Sequence, residues 1–159
     1  MRTRTLLVTL VVGLLAVALV APASAGRRDA VSQYGHGTWT VAGDGFDVVG
    51  TTEGAPIAGS STGHVRPDDG TMPPWGGCEP GSGTFTTSTN RSTLTVRFWG
   101  DFCRAVAPAG YVVFKGWYDV TEYTGGKGKK GRTAEGRGGM DMYLFADGSS
   151  QWSFSGDLY

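Results

Sequence analysis

Residues 78–103 read CEPGSGTFTTSTNRSTLTVRFWGDFC, and the pairing register of this stretch decides the fold. In a two-stranded ladder a one-residue slip carries every side chain to the opposite face, so a register can be tested by whether apolar residues meet apolar residues. A two-residue turn at Asn90-Arg91 passes this test. It sets Phe85 opposite Val96, Thr87 opposite Leu94 and Gly83 opposite Phe98, and it gathers Leu94, Val96, Phe98, Phe102 and Phe85 on one inner face. The outer face then carries Thr84, Thr86, Thr93, Thr95 and Arg97. The same register brings Cys78 opposite Cys103 at a non-hydrogen-bonded position, where Cα atoms approach to about 4.5 Å, within reach of a disulfide. Pro80 falls at the same kind of position, so its missing N–H removes no ladder bond. A cross-strand disulfide between Cys78 and Cys103 is therefore expected, and closing that loop contributes roughly 3–4 kcal/mol.

Outward from this hairpin, turn signals recur at short intervals. Asp44-Gly45 is a favoured pair for a primed turn and would set Trp39 opposite Gly50, Val41 opposite Val48 and His36 opposite Glu53. Near Asp147-Gly148 a three-residue loop with Gly in the left-handed position fits best, and it aligns Met140 with Phe154 and Met142 with Trp152. Further strands are expected near Ile57–Val65 and Tyr111–Thr121, the latter with Val112, Phe114, Tyr118 and Val120 on one face. Arg66–Gly77, with Pro67, Pro73 and Pro74, reads as an irregular loop whose Pro-Pro-Trp step could cover one end of the fold. With 27 glycines spread through Thr, Val and aromatic residues, sustained helical periodicity is absent and short strands are favoured. About eight such strands predict an all-β fold, a single antiparallel β-barrel, with a β-sandwich as the second arrangement.

The amino-terminal end carries a different message. Arg2 and Arg4 precede an apolar run from Leu6 to Val20, and Ala23-Ser24-Ala25 supplies small residues for cleavage. This is the pattern of a secretory signal peptide over residues 1–25, too short for a spanning helix. Removing those 25 from 159 residues leaves 134, one domain, residues 26–159, in a compartment that permits disulfides. The loss of Arg2 and Arg4 leaves 12 basic against 14 acidic residues, a formal charge of −2. Such a balance argues against a general binder of nucleic acid or of anionic membranes.

The segment Val120–Gly139, VTEYTGGKGKKGRTAEGRGG, resembles the glycine-rich hairpin of allene oxide cyclase and dirigent-like barrels. Gly37-Thr38-Trp39-Thr40-Val41 and Cys78-Glu79-Pro80 also look like parts of secreted bacterial β-barrel proteins of unknown role. The resemblance implies an eight-stranded antiparallel barrel. No catalytic residue of those families maps onto this chain, so neither cyclase nor stereochemical activity is carried over.

Several residues carry chemistry worth following. Gly126–Gly131 spells G-x-G-x-x-G but lacks the βαβ context of a dinucleotide site, and no cofactor is expected. Lys127, Lys129, Lys130 and Arg132 concentrate positive charge that could meet an acidic polysaccharide, a teichoic-type polymer or a protein. His36 and Glu53, as cross-strand neighbours, could form a base and its orienting carboxylate. His64 with Asp68-Asp69 offers too few ligands for a metal. Glu79, placed on the inner face opposite Phe102, is the candidate general acid or base. Trp39 and Trp152 belong to the interior, while Trp99 and Trp117 fall on outer faces as a candidate carbohydrate or partner surface. Asn90-Arg91-Ser92 matches an N-glycosylation sequon. Together these point to a secreted, non-catalytic barrel that binds a small apolar ligand or an extracellular polysaccharide or protein. The alternatives are a cyclase or isomerase working inside the barrel, or a protease inhibitor presenting the 66–77 loop.

Overall fold

A computed structural model describes residues 29–105, 112–125 and 135–159. Its elements are β1 (Asp29–Ala42), β2 (Gly45–Ala55), β3 (Gly59–Pro67), β4 (Cys78–Ser88), β5 (Thr93–Arg104), β6 (Val112–Thr124), β7 (Gly136–Leu144) and β8 (Ser149–Leu158). Each strand pairs antiparallel with the next, and β8 returns to β1, closing an eight-stranded up-and-down barrel. Closure leaves no exposed sheet edge. The signal-like residues 1–25 and the four basic residues Lys127, Lys129, Lys130 and Arg132 lie outside the described residues.

The β4–β5 hairpin has the register expected from its sequence. Phe85 pairs with Val96, Thr87 with Leu94 and Cys78 with Cys103. The two cysteines are joined, with Cα atoms 4.0 Å apart. At the turn, the Thr89 N–H donates to the Ser92 carbonyl at 2.8 Å, and the Thr89 hydroxyl accepts from the N–H groups of Arg91 and Ser92 at 3.1 and 3.0 Å. The β7–β8 hairpin also matches expectation: Met140 pairs with Phe154 and Met142 with Trp152. Gly148 closes its three-residue loop at φ +85°.

The β1–β2 hairpin departs from its expected register. Its turn is Gly43-Asp44, so Trp39 pairs with Val48, Val41 with Phe46 and His36 with Thr51. The turn's one positive φ is +59° at Gly43, the first central position, where a II′ turn takes glycine. Gly45 is needed in the strand instead, because a Cβ there would stand 2.3 Å from the Val65 carbonyl oxygen of β3. The slip is two residues, so every side chain keeps its face and only its partner changes.

Alternation puts Val48, Val65, Phe85, Phe98, Phe102, Phe114, Tyr118, Met142, Trp152 and Phe154 inside, each 3 % exposed or less. Burial of each large apolar side chain contributes about 1.5–3 kcal/mol, and ring pairs such as Phe98–Phe114 (4.8 Å) and Phe85–Trp152 (5.0 Å) add to it. Room for these rings comes from inward-facing glycines. Gly63 on β3 lies opposite Phe85, and a Cβ at Gly63 would meet the Phe85 ring at 2.3 Å. The barrel axis is thus occupied by the protein's own side chains.

At the end where β1 begins, the core turns polar but stays paired. Thr52, Ser61 and Thr87, each 1 % exposed, share hydroxyl contacts at 2.6 and 3.0 Å. The Trp152 indole N–H donates to Thr52 Oγ1 at 2.9 Å, and Gln33 Nε2 donates to the Ile57 carbonyl at 2.5 Å. Because its buried hydroxyls are satisfied, this polar layer avoids the penalty of lone polar groups.

Candidate functional site

With the axis filled, concave surfaces among the described residues lie on the outer wall and at the mouth. Trp99 on β5 and Trp117 on β6 both point outward, and the ladder makes them direct partners. They are 40 % and 66 % exposed. Two large rings side by side on a sheet exterior form an apolar platform. The platform continues along its own row as Trp99, Trp117, Gly139, Ser155 and Ser32, crossing from β5 to β1. The next row reads Asp101, Lys115, Asp141, Ser153 and Tyr34.

Small residues in the middle of these rows make a depression. One groove of about 300 Å³ is lined by Lys115, Trp117, Gly139, Asp141, Ser153 and Ser155. A second, of about 410 Å³, is lined by Tyr34, His36, Tyr143, Gln151 and Ser153. Ser153 belongs to both, so the grooves adjoin. Aromatic rings stand at each side, Trp117 at one and Tyr34 and Tyr143 at the other, while hydroxyl, amide and charged groups line the space between. Lys115 Nζ and Asp141 Oδ1 are 3.9 Å apart, so the groove's charges largely offset each other. The Tyr34 hydroxyl donates to Glu53 Oε2 at 2.5 Å, and that carboxylate pushes the phenol above its ordinary pKa.

No family model, curated protein or solved structure matches this chain.

The other candidates from the sequence separate in space. His36 does not face Glu53, whose β1 partner is Tyr34; the two-residue register change removes the supposed pair. His64 is directed to β2 and not to Asp68-Asp69. Its Nδ1 lies 2.7 Å from Asp47 and its Nε2 3.7 Å from Asp44, which also binds Arg66. Arg66 holds the Asp44 carboxyl below its usual range. Among the described residues no group of three or more His, Cys, Asp or Glu side chains converges for a metal.

Glu79 does lie opposite Phe102 on the inner side of β4 and is half-buried, with no hydrogen bond to the described residues. Asn90 and Arg91 are exposed at the β4–β5 turn. The Pro-rich loop sits over one barrel end, and its Trp75 ring lines a mouth cavity together with Trp39 and Phe46. The Trp pair was legible residue by residue; its adjacency was not. That adjacency rests on the β5–β6 register, which runs unbroken from Arg104–Val112 through Trp99–Trp117 to Val96–Val120 before it shifts at Thr95/Val96, and the seven residues 105–111 that join the strands carry no two-residue hairpin signal to fix it.

Proposed function

We propose that the mature protein is an exported, non-catalytic binding module that holds a neutral extracellular polysaccharide across the outer wall of its barrel. The observation that carries this reading is the exposed Trp99–Trp117 pair, in register and beside the polar groove. Sugar rings present apolar C–H faces that pack on indole and equatorial hydroxyls that need hydrogen bonds. Trp117 and Trp99 supply the first, and Ser153, Ser155, Gln151, Asp141 and Lys115 the second. From β6 to β1 the row spans three strand spacings, about 14 Å at roughly 4.8 Å each, long enough for several sugar units of a chain. The close Lys115–Asp141 pair favours a neutral polymer over a strongly acidic one.

Export rests on the signal-like residues 1–25, and the Cys78–Cys103 bridge suits an oxidising compartment. Outward residues such as Thr84, Arg97 and Gln151 are polar and exposed, while most of the apolar strand residues face inward, the reverse of a membrane-spanning barrel. A cyclase or isomerase related to the resembled families would need substrate room on the axis, where Phe85, Phe98 and Phe114 pack. A protease inhibitor would need a freely projecting loop, whereas the 68–77 loop is tied to β4 and β5 by backbone hydrogen bonds.

Native gel electrophoresis with hydroxyethylcellulose, laminarin or glycol chitin cast into the gel tests the reading. Migration of the wild-type protein is expected to slow in at least one gel, and Trp99→Ala and Trp117→Ala are each expected to weaken the apparent affinity tenfold or more. Retardation that survives in the double variant would place the glycan elsewhere, and an absence of retardation throughout the panel would end the proposal.

A further inference from the structure

The barrel mouth opposite the hydroxyl layer holds a second concavity whose chemistry differs from that of the outer wall. It measures about 250 Å³ and is lined chiefly by Trp39, Phe46, Trp75, Arg104, Val112 and Leu144. These come from the ends of five strands and from the 68–77 loop, so the fold itself shapes the cavity. Its walls are fixed. The Trp39 indole N–H donates to the Phe145 carbonyl at 2.8 Å, Trp39 meets Phe46 edge to face at 5.2 Å, and Phe46 stacks on buried Phe102. On the other side the Gly76 N–H donates to the Arg104 carbonyl at 2.7 Å and the Arg104 N–H to the Gly77 carbonyl at 3.0 Å. The Cys78–Cys103 bridge lies immediately beside this clip.

Arg104 is the unexpected member of an otherwise apolar lining. Its guanidinium carbon lies 3.7 Å from the centroid of the Trp75 ring, and no carboxylate among the described residues comes within ion-pair distance. Of the acids at this barrel end, Asp44 pairs with Arg66, Asp68 with the Ser82 hydroxyl, Asp69 with the Thr71 N–H and Asp147 with Ser149, while Asp101 lies exposed on the outer face of β5. Glu79 does not line the cavity. The seven residues between Arg104 and Val112 contain no acid. A half-buried guanidinium, stacked on one face and without a counter-ion, keeps its planar fork of N–H donors free for a carboxylate.

We propose that this mouth binds a small aromatic carboxylic acid. The ring body lies among Trp39, Phe46, Val112 and Leu144, and the carboxylate pairs with Arg104. Size sets the class, since a cavity of about 150 Å³ admits benzene, and the larger space here takes one or two rings with an acidic arm. A long acyl chain is excluded because Phe102, fully buried beneath Phe46, blocks the axis. Walls fixed before binding mean that little ordering cost is added when the ligand enters.

Isothermal titration of mature protein with 2-naphthoate, 2-naphthalenemethanol and 2-naphthylmethylammonium tests this, with tryptophan fluorescence as a second readout. Naphthoate is expected to bind at least tenfold more tightly than the alcohol and far more tightly than the cation. Arg104→Met is expected to erase the preference for the acid while keeping weak binding of the ring, and Arg104→Lys to retain part of it. Equal affinity for acid and alcohol in the wild type, or an undiminished preference in R104M, would overturn the proposal. So would methyl shifts that avoid Val112 and Leu144 in NMR of the naphthoate complex. The wild-type comparison decides the matter even if R104M does not fold.

Discussion

Replacing Gly63 with Ala tests whether interior glycines exist to seat interior rings. An added Cβ would stand 2.3 Å from Phe85 Cδ2 and 3.0 Å from Cε2, while the nearest backbone atom, the Thr84 carbonyl oxygen, is 3.2 Å away. The clash is therefore with a side chain. That ring cannot yield freely, because Trp152 and Phe154 hold it at centroid distances of 5.0 and 5.2 Å. Overpacking of a well-filled core costs about 1–3 kcal/mol. Gly63 has no positive φ, so the substitution also reduces unfolded-state entropy and recovers about 0.4–1 kcal/mol. The net expectation is a loss of about 1–2 kcal/mol, or about 4–8 °C in Tm for a domain of this size. Phe85→Leu alone removes part of a buried ring and costs about 1–2 kcal/mol by comparison with fuller truncations. In the double variant the smaller Leu makes space for the new methyl, so G63A/F85L is expected to be no less stable than F85L alone. That corresponds to a favourable coupling of about 1 kcal/mol or more. Urea unfolding followed by far-UV circular dichroism gives all four free energies. Additivity within about 0.3 kcal/mol, or a G63A protein as stable as wild type, would show that Phe85 does not depend on the space above Gly63.

Tyr118 is fully buried with an unpartnered hydroxyl, and burial, with a smaller contribution from the Asp157 charge, pushes its phenol up to about 12. A phenol whose folded pKa exceeds its unfolded value near 10 contributes full stability below pH 10 and loses it as pH rises toward 12, by up to about 2.7 kcal/mol. Chemical denaturation between pH 9 and 12 should show this decline, and Tyr118→Phe should flatten it while remaining as stable as wild type, or about 1 kcal/mol more so, at pH 7; identical slopes for the two proteins would refute the assignment. Replacing both Cys78 and Cys103 with Ala opens a cross-link of sequence separation 25 and should cost about 3.5 kcal/mol by loop entropy, read as a lower urea midpoint; an unchanged midpoint would mean the bridge does not constrain the unfolded chain. Trp99→Ala, at a partly exposed outward position, should change stability by less than about 1 kcal/mol, so that any loss of polysaccharide binding reports on contact and not on folding; a thermal melt decides which.

How far the chain could be read in advance depended on how tightly each feature constrains itself. The β4–β5 hairpin was legible in full because three independent signals agree on one register: the turn, the apolar face and the cysteine pair. The β1–β2 hairpin offered only a turn dipeptide, and Gly43-Asp44 competes with Asp44-Gly45. The faces were still assigned correctly because the two registers differ by an even number of residues. Pair-dependent inferences failed with it, which is why His36 and Glu53 are not neighbours. The outer-wall site needed more than any hairpin carries. Trp99 and Trp117 belong to β5 and β6, joined through residues 105–111, and their meeting requires a β5–β6 register that no two-residue turn fixes. Ser153 and Tyr34 join them only through β7, β8 and the closure onto β1, contacts that span most of the chain. Arg104 was passed over because its significance lies in what surrounds it, an apolar lining and an absence of nearby carboxylates.

The distribution of small residues connects the fold to where binding can occur. Inward glycines such as Gly63 let aromatic rings fill the axis, and filling the axis removes the central cavity that larger barrels use for ligands. Among the described residues, two surfaces that packing does not consume are then left for binding. On the outer wall, Gly139, Ser153 and Ser155 lower the sheet surface between standing aromatics, which suits an extended chain lying across strands. At the mouth, the last inward rings, Trp39 and Phe46, have no further layer above them, and the 68–77 loop with Trp75 covers the gap only in part. A rigid filled barrel costs little to hold both surfaces in shape, since neither requires the core to move. The two sites should therefore bind independently: saturation with 2-naphthoate is expected to leave the polysaccharide affinity unchanged within twofold. A larger mutual effect would reveal coupling through β6, the strand that contributes Val112 to the mouth and Trp117 to the wall.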